Sequence, residues 1–263
     1  MDAVVITVVA IFGLMVGSFL NVVIYRVPRR ESIVLPSSHC PACEHPLSIT
    51  DNIPLISWLL LGGKCRYCGE RISIQYPLIE AVTMIAVVIL YVSFGLTFAF
   101  GASVFFFLVL LTVSAIDIEY KIIPNVIILP ALALSVSFLP ISEFAKVGWM
   151  PFVDHSNWVF SAIGFLAGGG FLFLLALIRP DGMGGGDIKL AAFMGLFLGR
   201  YVIVALFIGF LFGSIGGLAA MTFLKKSRKD LIPFGPYLAA GAVFTWFLGV
   251  PLVNWYLSTA GMV

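Results

Sequence analysis

The sequence predicts an all-α polytopic membrane protein of about eight transmembrane helices with one folded cytoplasmic loop, and three observations carry that prediction. Of the 263 residues, 61% are hydrophobic and only 11% are charged, against roughly 25% charged residues in ordinary soluble domains. Nearly charge-free stretches recur from Val4 to the C-terminal region, each long enough to cross a hydrocarbon core of about 30 Å as a helix. The basic residues also sort almost entirely to one side of the membrane when the stretches are threaded alternately. A net charge of +2, with no basic tract interleaved with aromatics, excludes nucleic acid as a partner.

Taken in order, the spans are Val4–Tyr25, Pro77–Phe94, Phe98–Ile116, Ile122–Leu139, Trp158–Ile178, Ile188–Gly199, Tyr201–Leu224 and Pro236–Leu257. The first is not a signal peptide: Asp2 precedes it, whereas Arg26, Arg29 and Arg30 follow it, the reverse of the polarity a signal requires. Ile188–Gly199 is short for a full crossing and needs a thinned bilayer, little tilt or shielding by neighbouring protein. With both termini outside, the inner loops hold Arg26, Arg29, Arg30, Lys64, Arg66, Arg71, Lys121, Arg179, Lys189, Lys225, Lys226, Arg228 and Lys229. Only Lys146 and Arg200 fall outside. Removing the short sixth span would throw the Lys225–Lys229 cluster outward, so the positive-inside rule retains it. Trp149, Trp158 and Trp255 suit the outer interface belt, and the Phe105–Phe107 run is lipid-facing or packed. No internal repeat is evident. The division expected along the chain is 1–76, the first span plus the cytoplasmic loop, and 77–263, a membrane-embedded helical domain.

All four cysteines fall in the loop, as Cys40-Pro41-Ala42-Cys43 and Cys65-Arg66-Tyr67-Cys68. Two such knuckles predict one tetrahedral zinc, because each offers two thiolates converging on one ion. Disulfide pairing is the alternative, disfavoured in a reducing cytoplasm. His39 and His45 flank the first knuckle and are read as solvated loop histidines. Four protein ligands leave no open position, so the zinc is structural: a loop of this size buries too little apolar surface to fold alone.

Ionisable groups in or beside spans are functional candidates, and Glu80, Asp117 and Asp187 qualify. Asp117 ends the third span shortly before Pro124; Asp187 follows Gly184-Gly185-Gly186 and opens the sixth. Both then lie at the cytoplasmic boundary and can meet. Two close carboxylates share one proton, so the charged member can activate water while the protonated one hydrogen-bonds a scissile carbonyl. The three glycines let a substrate backbone approach and let the loop move. Asp187 can equally be a helix N-cap, with Asp117 a surface charge.

At these residues the chain resembles the type IV prepilin leader peptidase/N-methyltransferase family, within the wider GxGD class of intramembrane aspartic proteases. Gly17-Ser18-Phe19-Leu20-Asn21-Val22-Val23-Ile24-Tyr25-Arg26-Val27-Pro28 is similar to the family's N-terminal signature. The cysteine knuckles follow, with Asp51-Asn52-Ile53-Pro54-Leu55-Ile56-Ser57-Trp58 between them, then Tyr76-Pro77-Leu78-Ile79-Glu80, and finally Asp117 and Gly184-Gly185-Gly186-Asp187-Ile188-Lys189-Leu190. The resemblance implies that Asp117 and Asp187 are catalytic and that Cys40, Cys43, Cys65 and Cys68 form the zinc loop of the long, bifunctional form. It implies cleavage of a prepilin or pseudopilin leader at the bacterial inner membrane, then N-methylation of the new terminus with S-adenosylmethionine. A substrate with a basic leader inside and an apolar span after it presents its cleavage bond at the height of the two aspartates.

No Rossmann-type glycine run is present, so a cofactor site is built differently. Gly17, Asn21, Arg26 and Glu80 are its candidates; close helix packing at Gly17 and an interhelical hydrogen bond at Asn21 are the competing explanations. Other functions are an ion-coupled transporter using the same acids, against which both lie at one face rather than the midplane, a zinc-loop scaffold without catalysis, and a protease that has lost methylation.

Overall fold

The apolar stretches become helices where the sequence places them. The computed structural model describes residues 3–145, 158–179, 183–223 and 233–261, and among the described residues there is no β-strand. The helices are α1 (Ala3–Arg26), the short α2 (Ile56–Leu60), α3 (Gln75–Phe94), α4 (Phe98–Tyr120), α5 (Asn125–Ala145), α6 (Trp158–Phe165), α7 (Phe171–Ile178), α8 (Gly185–Leu198), α9 (Val202–Phe223) and α10 (Gly235–Thr259). A π-helical turn, Leu166–Gly170, joins α6 to α7. Six stretches among the described residues are long and apolar enough to cross a membrane, with Gly185–Thr222 one continuous run, and α5 adds a shorter apolar helix. The chain is a multi-pass membrane protein. Lys146, Trp149 and the Lys225–Lys229 cluster lie outside the described residues. Trp158 and Trp255 are both exposed.

The chain forms two units, Met1–Phe100 and Gly101–Val263. In the first, α1 lies against α3, which the sequence reading groups with the helical domain. Their approach depends on small residues: a Cβ at Gly13 would stand 2.8 Å from Met84 Cα, and one at Gly17 would stand 2.7 Å from Glu80 Cα. Such contacts drive helix association in lipid, where the hydrophobic effect gives no preference for helix over tail. Asn21 Nδ2 adds an interhelical hydrogen bond to the Tyr76 carbonyl at 3.0 Å. Gly17→Ala should therefore cost about 1–3 kcal/mol by overpacking, seen as a lower melting temperature in detergent.

The second unit is built around α8. All nine residues from Leu190 to Leu198 are buried, so a helix of 14 residues, about 21 Å long, is sheathed in protein instead of lipid. Gly164 of α6 and Gly195 of α8 face one another so closely that a Cβ on either would overlap the other's carbonyl, and Gly168 in the π-turn presses on the Ala191 carbonyl in the same way. Phe106 of α4 stacks on Phe197 of α8 at 4.6 Å and on Trp246 of α10 at 5.0 Å between ring centroids, with Phe193 at 5.6 Å. Of the Phe105–Phe107 run, Phe106 is thus the buried member. Gly199 ends α8 at φ +53°, with the Phe160 ring filling the space a side chain would need.

Candidate active site and metal centre

In the first unit the two cysteine knuckles fold alike. The Cys40 N–H donates to the His45 carbonyl (3.0 Å) and the Glu44 N–H to the Cys40 carbonyl (2.8 Å); the Cys65 N–H donates to the Glu70 carbonyl (2.8 Å) and the Gly69 N–H to the Cys65 carbonyl (3.0 Å). Glu44 and Gly69 occupy the same place and both have positive φ, +57° and +73°. This folding brings the four Sγ atoms within 4.8 Å of one another. All four are free thiols. Cys40 Sγ and Cys68 Sγ are 3.8 Å apart, and a tetrahedral zinc with bonds of about 2.3 Å requires sulfur pairs about 3.8 Å apart. The residues fit a zinc ion. N–H groups of Cys68 and then Tyr67 directed at Cys65 bring its thiol down to about 7, whereas at Cys68 the lowering by the Glu70 N–H is outweighed by burial and the neighbouring thiols, which push it up to about 12; Cys65 is thus the member that most readily gives the thiolate that metals bind. His39 and His45 stand outside the cluster among the described residues; His45 instead stacks on Tyr67, with centroids 3.6 Å apart.

Asp51 clamps the second knuckle, a role the sequence reading does not assign. Its carboxylate accepts hydrogen bonds from the Ser48 hydroxyl (2.6 Å), from Arg66 Nε (2.6 Å) and from the Tyr67 hydroxyl (3.3 Å), and Arg66 and Tyr67 are the residues between Cys65 and Cys68. The bonds from Ser48 and then Arg66 hold the carboxyl down at about 2, against the opposing effect of burial. Because the folded value lies below the ordinary 3.8, the stability this clamp gives the loop is fully present above that ordinary value and is lost as pH falls through about 2. A carboxyl-carbon NMR titration should place the Asp51 midpoint near 2; a midpoint at 3.8 would remove the clamp.

The four residues considered for a cofactor gather in the same unit. Gly17 packs on Glu80 and Asn21 holds Tyr76, as above. Arg26, buried at the end of α1, donates from Nη1 to the Ser32 carbonyl (2.9 Å) and from Nη2 to the Ser37 carbonyl (3.4 Å). Glu80 Oε2 accepts the Leu55 N–H at 2.8 Å, which fixes Leu55 at φ +60°. Together they tie the loop to the α1–α3 pair.

In the second unit the C-terminal end of α4 and the N-terminal end of α8 set two acids within electrostatic reach of one another. Asp117 occupies the last turn of α4 and is buried, while the next two residues, Ile118 and Glu119, are exposed. Its Oδ2 accepts the Gly235 N–H from the start of α10 at 2.9 Å. Asp187, half-buried, lies near enough for the Asp117 charge to act on its carboxylate. The N-cap of α8 is Gly184. Asp187 is the third residue of the helix, with its N–H donating to the Gly184 carbonyl at 3.0 Å. An acid in the first turn suits the helix N-terminus whatever else it does.

The three glycines before Asp187 differ in their surroundings. A Cβ at Gly184 would lie 3.2 Å from Asp187 Oδ2, one at Gly186 would lie 2.7 Å from Ile123 Cβ, and one at Gly185 would meet nothing within 4 Å. Gly186 therefore seats the first turn of α8 on the turn between α4 and α5. Lys189 Nζ joins the same turn, donating to Asn125 Oδ1 at 2.7 Å. Gly235, Ile123 and Asn125 were not singled out in the sequence; the Pro233-Phe234-Gly235-Pro236 run signals a helix entry and nothing about an aspartate.

Comparison with known proteins bears on both units. Residues 11–94 match the model of the bacterial peptidase A24 N-terminal domain, and residues 104–218 match that of the type IV leader peptidase family. The first match contains the four cysteines and the second contains both aspartates. A protein of Bacillus subtilis (strain 168) named prepilin leader peptidase/N-methyltransferase is 34% identical over 256 residues, covering 97% of this chain and 99% of its own. Proteins of the same name from Aeromonas salmonicida (strain A449), 34% identical over 96% of this chain and 94% of theirs, and Pseudomonas aeruginosa, 33% identical over 95% and 93%, match nearly end to end as well. No solved structure matches. With two domain models in sequence order and full-length relatives above 30% identity, the chain belongs to the type IV leader peptidase family.

Proposed function

We propose that this protein removes the leader peptide of type IV prepilins or pseudopilins at the cytoplasmic face of a bacterial inner membrane, and then N-methylates the exposed terminus with S-adenosylmethionine. The observation that carries the proteolytic half is that Asp117 and Asp187, two acids distant in sequence, lie within electrostatic reach of one another at the ends of α4 and α8. The pair holds one proton between them. Its ionised member takes a proton from the attacking water, and its protonated member donates to the scissile carbonyl, so peptide hydrolysis needs neither a metal nor a covalent intermediate. Gly184 and the first two residues of α8, Gly185 and Gly186, form the segment that receives the substrate, and the open side of Gly185 leaves room for the substrate backbone beside Asp187.

Cys40, Cys43, Cys65 and Cys68 hold one structural zinc that folds the loop. The proposed division runs from residues 1–76, serving methyl transfer, to residues 77–263, serving proteolysis, with Glu80 contributing to the first. Gly17, Asn21, Arg26 and Glu80 are the candidate holders of the methyl donor. The set carries the right groups, a guanidinium for the carboxylate of S-adenosylmethionine and a carboxylate for its ammonium or ribose hydroxyls, but Arg26, Asn21 and Glu80 already bond the Ser32 and Ser37 carbonyls, the Tyr76 carbonyl and the Leu55 N–H, so holding the donor requires them to exchange or share those bonds. When bound, that cofactor supplies an electrophilic methyl group. The basic residues that the eight-span threading gathers on one side support an active site facing the cytoplasm and both termini outside.

The test is mass spectrometry of a detergent-solubilised prepilin incubated with the wild-type chain or with Asp187→Asn, with and without S-adenosylmethionine. Leader loss that depends on Asp187, and a gain of one methyl group only with the cofactor, are expected. No leader loss from folded wild-type protein would end the proteolytic reading.

A further inference from the structure

We infer that Gly235, at the start of α10, is a positioning residue for Asp117, an inference that rests on the catalytic reading of Asp117. Its N–H donates to Asp117 Oδ2 at 2.9 Å in a bond buried from solvent, and no other element supplies a bond of this kind to Asp117 among the described residues. Its missing side chain matters as much as its N–H: a Cβ at Gly235 would lie 2.9 Å from Oδ2 and 3.4 Å from Cγ of the same carboxyl. Contacts that short force the carboxyl to rotate or α10 to withdraw, and either breaks the bond.

The local sequence prepares the group. Pro236 follows as an early residue of α10, where its fixed φ starts a helix and its missing N–H costs nothing. The first amides of a helix have no partner within it, so the Gly235 N–H is available for Asp117. Asp117 itself lies in the last turn of another helix and has rotational freedom about its side-chain bonds until something holds it. An aspartate that shares a proton with a second carboxyl must keep its plane and distance constant, because misplacement by about 1 Å can cost on the order of 10²-fold in rate. Gly235 supplies that constraint from a third helix.

Three variants separate this role from packing. Gly235→Ala should lower kcat for leader cleavage by about 10²-fold while KM stays near the wild-type value, because the substrate does not touch this N–H. Gly241→Ala, in the same helix, places its Cβ against the Ala205 carbonyl and 2.7 Å from the Gly209 amide; it should lower the melting temperature and leave kcat in place. Equal kcat losses in the two variants, or normal kcat in Gly235→Ala, would overturn the inference. If Gly235→Ala does not fold, hydrogen exchange on Asp117→Ala decides. The peptide from Pro233 to Tyr237 carries exchangeable amides only at Phe234, Gly235 and Tyr237, and freeing Gly235 should speed the exchange of one of them. Unchanged exchange overturns the inference. Normal cleavage by Asp117→Asn instead removes the catalytic reading beneath it, whereas a dead Asp117→Asn beside a normal Gly235→Ala removes this inference alone.

Discussion

Asp117→Asn and Asp187→Asn should each slow leader removal by about 10²–10⁴-fold, the range for loss of a positioned acid or base, with the protein still folded in membrane. A carboxamide preserves shape and hydrogen-bond count at both sites but cannot share the proton, so only the chemistry changes. At position 117 the amide oxygen can still accept the Gly235 N–H that Oδ2 now holds. At position 187 the loss of a first-turn acid costs α8 about 0.3–1 kcal/mol, too little to unfold a helix whose next nine positions after Lys189 are buried. Because the two carboxyls act as one unit, the double variant should be no slower than the slower single one. Single-turnover mass spectrometry of the released leader, with a melting curve as the folding control, checks both points. Rates that multiply, or wild-type turnover in either single variant, would mean that the acids do not form a catalytic pair.

The second large effect concerns the cysteine cluster. Cys40→Ser or Cys65→Ser should abolish metal content, falling from one zinc per chain to none, and should make the loop sensitive to protease. Structural zinc sites of this ligand set contribute about 10–16 kcal/mol to folding in small peptides. The loop has little else: Ile49, Leu59 and Leu60 are more than 60% exposed, so apolar burial does not replace the metal. Methylation should fail in these variants, while cleavage by the second unit persists. Elemental analysis of purified wild-type protein decides the premise, since a chain that carries no zinc would remove it. A variant that loses both activities equally would show that the loop serves cleavage too.

The spans were legible because apolar length and the side preference of Lys and Arg are properties of sequence alone. All eight stretches read there correspond to helices, α6, the π-turn and α7 together making one of them. The cysteine cluster was legible for a similar reason: a short knuckle brings its own two sulfurs together, and two knuckles in one loop have few ways to be arranged. Asp117 and Asp187 stood out because a carboxylate at a membrane boundary is costly. That they meet is a matter of how α4 and α8 end.

What sequence could not supply is every fact that depends on a neighbour from elsewhere in the chain. The short α8 was compatible with thinning, small tilt or shielding, and only packing decides for shielding, because burial belongs to the surroundings of a helix. Gly17 and Asn21 gain their helix-packing roles from the facing side of α3, and Arg26 is turned onto the loop carbonyls. Asp51 stands in the sequence only as one residue of a loop motif, and folding sets Arg66 and Tyr67 against it. Gly235 looked like part of a proline-rich entry to a span until α10 placed its amide on Asp117. Composition and periodicity are additive along the chain and can be read from it; the partner of a buried carboxylate is fixed by where another helix begins, which only the tertiary structure decides.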